Sequence, residues 1–89
     1  MNTYIVTFDV KDKQRLSTLK GVLRAYGFFC PIHETAWAVK VSKQATEIRD
    51  ELMQHTVAED RIFVIRSGTE AAWKNSYGEK NTKWLKDNL

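Results

Sequence analysis

The 89-residue sequence has little of the residue types on which several classes of protein depend. Its single cysteine, Cys30, excludes an internal disulfide framework and a metal site built from several cysteines. One proline, four glycines and 43% hydrophobic residues argue against disorder and low complexity. No uncharged run approaches the roughly 20 residues of a membrane-spanning helix. The composition therefore predicts a folded protein without a membrane segment.

The length limits the size of the hydrophobic core. For a mass of 10.3 kDa, surface-to-mass scaling predicts that about 64% of the unfolded surface is buried, which supports one small domain. This excludes a two-domain enzyme, a Rossmann fold and a barrel. Met1 is followed directly by a strand-like run, not by a signal-peptide pattern, so we expect a cytoplasmic protein.

Conventional enzyme motifs are absent from the sequence. It contains no GxxxxGK[ST], GxGxxG, GxSxG or HExxH pattern. His33 and His55 lie in different predicted elements and lack metal-ligand spacing. Any catalytic chemistry must therefore depend on residues outside these motifs.

Hydrophobic periodicity predicts the element order β-α-β-β-α-β over residues 1–66. The predicted strands are Thr3–Asp9, Phe28–His33, Thr35–Val41 and Arg61–Arg66, and the predicted helices are Lys13–Tyr26 and Lys43–His55. This is the order of a ferredoxin-like α+β domain, with a four-stranded antiparallel sheet and two helices on one face. Pro31 places its strand at a sheet edge, and Ser42 is the expected N-cap of the second helix. The apolar run within Arg61–Arg66 is typical of a strand buried on both faces.

Residues 67–89 extend beyond this predicted domain. The segment Thr69–Leu89 contains Trp73 and Trp84, two of the three tryptophans. A disordered tail rarely carries so many large apolar groups. We therefore expect an extension with a short helix that packs on its own sheet or on a dimer partner.

Positive charge is concentrated early in the chain. Residues 10–33 carry a net charge of +4, whereas residues 34–89 are balanced. Lys13, Lys20 and Arg24 fall into one row of the predicted helix, and Lys11 precedes it. Such a localised basic segment is expected of a protein that binds a phosphate backbone, and the alternative is a solvated helix face.

Asp9 is the candidate metal ligand. It ends the first strand, beside the start of the basic helix, where a rigid element aims its carboxylate at solvent. Mg²⁺ usually takes one or two protein carboxylates together with waters and phosphate oxygens, and two copies of Asp9 across a twofold axis would serve better than one. The alternative is that Asp9 only terminates the strand and accepts hydrogen bonds from loop amides.

The pattern of residues 3–66 resembles a known family. Tyr4–Val10 forms a hydrophobic strand ending in aromatic-Asp-hydrophobic, the basic helix follows and ends in Tyr26-Gly27-Phe28, and a hairpin strand carries Thr35-Ala36-Trp37. This combination resembles the small CRISPR-associated adaptation protein, the partner of the adaptation integrase, and its stand-alone VapD-like relatives.

The resemblance implies a homodimer of ferredoxin-like subunits whose sheets face each other. Members act as Mg²⁺- or Mn²⁺-dependent ribonucleases or deoxyribonucleases, or as non-catalytic DNA-binding scaffolds. It implies Asp9 as the catalytic, metal-binding residue, nucleic acid as the partner of the basic residues, and a protein partner in an adaptation complex. Two functions stay open: a metal-dependent endonuclease acting on RNA or DNA, and a non-catalytic scaffold or toxin-like, regulatory interaction module.

Overall fold

A computed structural model describes residues 1–68 and 70–89 of the chain. In chain order its elements are β1 (Asn2–Asp9), α1 (Lys13–Ala25), β2 (Phe29–His33), β3 (Ala36–Val41), α2 (Ala45–Met53), β4 (Arg61–Arg66) and α3 (Glu79–Asn88). The predicted α+β class with a four-stranded antiparallel sheet is confirmed. Thr69, the first residue of the Trp-rich segment, lies outside the described residues. Among the residues described, no helix has the length and apolar character needed to cross a membrane.

The sheet has the strand order β2-β3-β1-β4, and all its pairs are antiparallel. Successive side chains of a strand point to opposite faces, so Tyr4, Val6 and Phe8 of β1 are buried together on one face. β2 lies at one edge, where the missing N–H of Pro31 breaks no ladder, and its pairing with β3 shifts register between Pro31 and His33. The arrangement is compatible with a ferredoxin-like fold.

The first sheet face is covered by α1 and α2. α1 begins after Asp12, whose carboxylate accepts a hydrogen bond from the Arg15 N–H at 2.9 Å, and it ends before Gly27, which has a φ of +89°. The fully buried helix residues that pack against the sheet are Leu19, Leu23, Ile48 and Leu52. Each such burial contributes about 1.5–3 kcal/mol, so this face forms the main core.

The second sheet face is partly covered by α3. Leu85 of α3 is buried in a small cluster with Cys30 and Ala38. At the end of the helix, the Thr3 hydroxyl donates a hydrogen bond to the Asn88 carbonyl at 2.6 Å. The half of this face that includes β2 and β3 is therefore packed, whereas the half formed by β4 is open.

The expectation that β4 is buried on both faces is wrong. Ile62 and Val64 are half-buried toward the helices, but Phe63 and Ile65 on the other face are 59% and 52% exposed. β4 is an edge strand, and α3 contacts the opposite edge. A continuous apolar run shows only that the residues are hydrophobic. It does not show whether another element covers each face of the strand.

The start of α2 also differs from expectation, because Ser42 is not its N-cap. The N-cap is Gln44, whose backbone N–H donates to the Glu47 side chain at 3.0 Å. Glu47 thus satisfies an amide at the helix start and places negative charge where the helix dipole favours it.

Candidate functional site

The basic segment begins in the loop between β1 and α1. Lys11 in this loop and Lys13 at the first position of α1 are exposed, and within the described residues neither has a carboxylate partner. Asp12 between them is occupied by capping α1. Both ammonium groups are therefore free to contact an anionic ligand.

The row along α1 contains two cations in different environments. Lys20 forms an ion pair with Glu34 and is largely buried, and this pairing holds the pKa of Glu34 below its usual range. The Arg24 guanidinium lies over the Trp37 ring, with its Cζ 5.3 Å from the ring centroid. A stacked guanidinium keeps the N–H donors at its rim available. The charge of Lys20 is thus offset within the chain, whereas that of Arg24 is held in place and stays accessible.

Asp9 lies at the end of β1, directly opposite Arg61 of β4. Its side chain is 55% exposed, and its Oδ2 accepts a hydrogen bond from Arg61 Nη1 at 3.2 Å. An exposed pair of this kind contributes about 0–1 kcal/mol to stability. The guanidinium nevertheless competes with any cation that approaches the carboxylate.

The donors around Asp9 do not fit a resident Mg²⁺ or Mn²⁺ within one chain. In the described part of the protein, no three His, Cys, Asp or Glu side chains are placed to hold a metal ion. A cleft of about 190 Å³ beside Asp9 is bordered by Glu59 and Asp60, but also by Lys11 and Arg61. Two positive side chains in so small a space oppose a divalent cation.

Asp60 is unavailable to a metal because it pairs with Arg15. Arg15 donates from Nε to Oδ2 at 2.9 Å and from Nη2 to Oδ1 at 3.2 Å. The Asp60 side chain is only 2% exposed, and the Val57 N–H donates to it at 3.0 Å. These contacts hold the pKa of Asp60 below its usual range, and the hydrogen bond from Arg15 has the largest effect. The pair joins α1 to the loop before β4 and is structural.

The sequence patterns missed a groove beside β4. Its volume is about 980 Å³, and it runs from the end of α2 across the first residues of β4 and the end of β1, including Asp9, as far as His33 and Thr35. Met53, Val57 and Phe63 line it, and all three are exposed. The signal that could have revealed it was the apolar run of β4 itself, had the strand been placed at an edge.

Comparison with known proteins gives no assignment. No protein-family model matches the chain, and no curated protein matches it. The functional inference therefore depends on the residues and geometry described above.

Proposed function

We propose that this chain is a small dimeric nucleic-acid-binding protein, similar in kind to the CRISPR adaptation protein, and that it acts without hydrolysis. The observation that carries the proposal is the set of accessible cations at α1: Lys11, Lys13 and Arg24. Among the described residues they have no ion-pair partner and are grouped at one helix, whereas Lys20 of the same row is paired with Glu34. The strand order β2-β3-β1-β4, with two helices on one face, supports a ferredoxin-like assignment.

The spacing of these cations suits a repeating phosphate backbone. Lys13 and Arg24 are eleven residues apart on α1, which is about 16 Å along a helix. They share one side of the helix, because eleven residues complete just over three turns. A rod of this length spans about five nucleotide steps of a duplex strand, at roughly 3.4 Å each. The contacts would be to phosphates and would carry no sequence preference.

Hydrolysis is the second function, and the surroundings of Asp9 support it less well. It requires a second copy to bring another carboxylate to a shared Mg²⁺ or Mn²⁺, because one chain supplies Asp9 beside the Arg61 guanidinium. No described histidine or carboxylate lies within hydrogen-bonding distance of Asp9 to act as a general base. We therefore treat cleavage as an outcome of the test.

The test compares two triple variants of equal charge. Lys11→Ala, Lys13→Ala and Arg24→Ala together remove the proposed contacts, whereas Lys74→Ala, Lys80→Ala and Lys86→Ala remove three exposed cations elsewhere. Each triple lowers the formal net charge from +3 to zero. Binding of labelled single-stranded RNA, single-stranded DNA and duplex DNA is titrated at several salt concentrations. The α1 triple should flatten the log–log salt slope by about 2–3 units, and the control triple should change it less.

Two further measurements complete the design. Glu34→Gln releases Lys20 from its ion pair and should strengthen binding, because another cation becomes available beside α1. Incubation with Mg²⁺, Mn²⁺ or EDTA reveals cleavage, and Asp9→Asn shows whether any cleavage depends on that carboxylate. Equal losses in the two triples, or no salt-sensitive binding in the wild type, would contradict the proposed interface. Asp9-dependent cleavage would establish the hydrolytic function instead.

A further inference from the structure

The outer edge of β4 presents unpaired main-chain groups. The Ser67 N–H donates to the Thr3 carbonyl at 2.8 Å, which fixes the alternation of the β1–β4 ladder. Counting back in steps of two, the N–H and C=O groups of Phe63 and Ile65 point toward β1, and those of Ile62, Val64 and Arg66 point outward. In the described chain no strand pairs with this edge.

The two edges of the sheet are protected differently. β2 carries Pro31 and an irregular register, and α3 packs against it. These are features that prevent pairing of one sheet with another. β4 has no proline, glycine or lysine, and its four central residues are all apolar. The outer edge of β4 is therefore free to pair with another strand.

Exposed apolar side chains flank the same edge on both faces. Phe63 and Ile65 are exposed on the second sheet face. On the helix side, Met53 and Val57 are exposed, and with Phe63 they line a groove at the end of the sheet where β4 begins. A free edge with apolar groups on both of its faces matches an added strand whose own side chains alternate in the same way.

We propose that β4 pairs antiparallel with β4 of a second copy of this chain, centred on Val64, to form a continuous eight-stranded sheet. This proposal rests on the dimer invoked by the proposed function, and it joins the subunits edge to edge where the resemblance implies sheets that face each other. In an antiparallel pair, residues whose main-chain groups point outward must lie opposite each other to form hydrogen bonds. A shift by one residue would break this match, so only every second register is allowed. The register with Val64 opposite itself also pairs Ile62 with Arg66 of the other copy.

The sequence of β4 complements itself in this register. Phe63 then lies opposite Ile65 of the second copy, and Ile65 opposite its Phe63, so that two apolar pairs form on the exposed face. Arg61 lies opposite Ser67, and no arginine lies opposite another. All three residues of β4 whose main-chain groups point outward form hydrogen bonds with the second copy in this register.

The accessible surface exceeds that expected of a compact monomer, and the exposed stretch 70–75 contributes to the excess. The chain exposes 6075 Å², whereas the scaling for a monomer of 10.3 kDa gives about 5,350 Å². The excess of roughly 700 Å² approaches the ~800 Å² that each protomer buries in a standard interface.

The first experiment measures the oligomeric state by sedimentation. The wild type should have twice the 10.3 kDa chain mass at tens of micromolar. Phe63→Lys should be monomeric, because it places two extra charges beside the twofold axis. Phe28→Lys is the matched control, since Phe28 is 54% exposed but lies at the start of β2, on the far side of the sheet; it should stay dimeric. Circular dichroism confirms that both variants fold.

The second experiment fixes the register by oxidative cross-linking in a Cys30→Ala background. Phe63→Cys and Ile65→Cys proteins should each fail to cross-link alone and should link when mixed, because only that combination brings two cysteines opposite each other. A monomeric wild type, or a Phe28→Lys variant that dissociates as fully as Phe63→Lys, overturns the proposal and leaves the edge to a strand from another protein. Cross-linking of Phe63→Cys with itself overturns the register. Nucleic-acid binding by a monomer would uphold the binding part of the proposed function while rejecting the dimer.

Discussion

Replacing Leu85 with alanine should release α3 from the second sheet face while the main core stays folded. Leu85 is the only residue of α3 that is fully buried, and it packs with Cys30 and Ala38 in a cluster separate from the main core. Cys30 is shielded by this packing, and burial raises the pKa of its thiol. Its reaction with an alkylating reagent therefore measures how often α3 opens.

The magnitude follows from the size of the cluster. Buried Leu→Ala changes destabilise proteins by about 2–5 kcal/mol, with the larger values where the surroundings cannot relax. Three buried residues make up this cluster, and it borders exposed chain, so we expect about 2–3 kcal/mol. Since 1.4 kcal/mol corresponds to a factor of ten, alkylation of Cys30 should accelerate by roughly 30- to 150-fold.

The assay follows alkylation under native conditions, in the range where the rate is proportional to reagent concentration. Lys86→Ala is the control, because Lys86 is the next residue of the same helix and is exposed. A surface change of this kind alters stability by no more than about 0.5 kcal/mol, or roughly twofold in rate. If Leu85→Ala reacts no faster than Lys86→Ala, the packing of α3 over Cys30 is refuted. Equal rates for the wild type in buffer and in denaturant would refute it as well.

Two further predictions concern α1. Asp60→Asn should lower the free energy of unfolding near neutral pH. The difference from the wild type should vanish as the pH falls through the depressed pKa of Asp60, because protonation then removes the same charge pair with Arg15. Denaturant titrations at pH 7 and below pH 4 measure this difference. Gly27→Ala should destabilise the protein by about 1–2 kcal/mol, because the φ of +89° at this position disfavours a side chain. Gly21→Ala should stabilise it by about 0.5–1 kcal/mol, because Gly21 lies within α1 with open space around it. Thermal melts that rank these variants otherwise would contradict the backbone assignment.

Local patterns predicted the elements that have one buried face. The alternation of Tyr4, Val6 and Phe8 and the helical spacing of Leu19 and Leu23 are set by the chain's own geometry, so they can be read from sequence. The burial of β4 could not be predicted in this way. It depends on where α3 lies, and no local pattern records that.

The sequence predicted which charged residues belong to the candidate site, but not which of them are ion-paired. The sequence placed Lys20 in the basic row, but its partner Glu34 is fourteen residues away and meets it only through the fold. Arg15 does not fall into this row, because the helical spacing places it on the apolar side of α1. A cation facing a core requires a carboxylate from the opposing element, and Asp60 provides it. The unmatched Arg15 was therefore the available signal for a tertiary ion pair.

The geometry of the proposed dimer bears directly on the choice between binding and hydrolysis. Asp9 lies beside Arg61, three residues along β4 from Val64 and one strand further from the twofold axis. With a rise of about 3.4 Å per residue and strands about 4.8 Å apart, the two Asp9 carboxylates would be roughly 25 Å apart. Two carboxylates at this separation cannot share one metal ion, whose oxygen ligands lie at about 2.1 Å. The same twofold axis keeps both α1 helices on one face of the continuous sheet, but Lys20 and Arg24 lie toward β3 and the β2–β3 turn, so the two basic rows lie on the outer flanks of the dimer. Pairing through β4 thus excludes a metal site shared by the two copies of Asp9, and it leaves nucleic-acid binding to two separate basic rows.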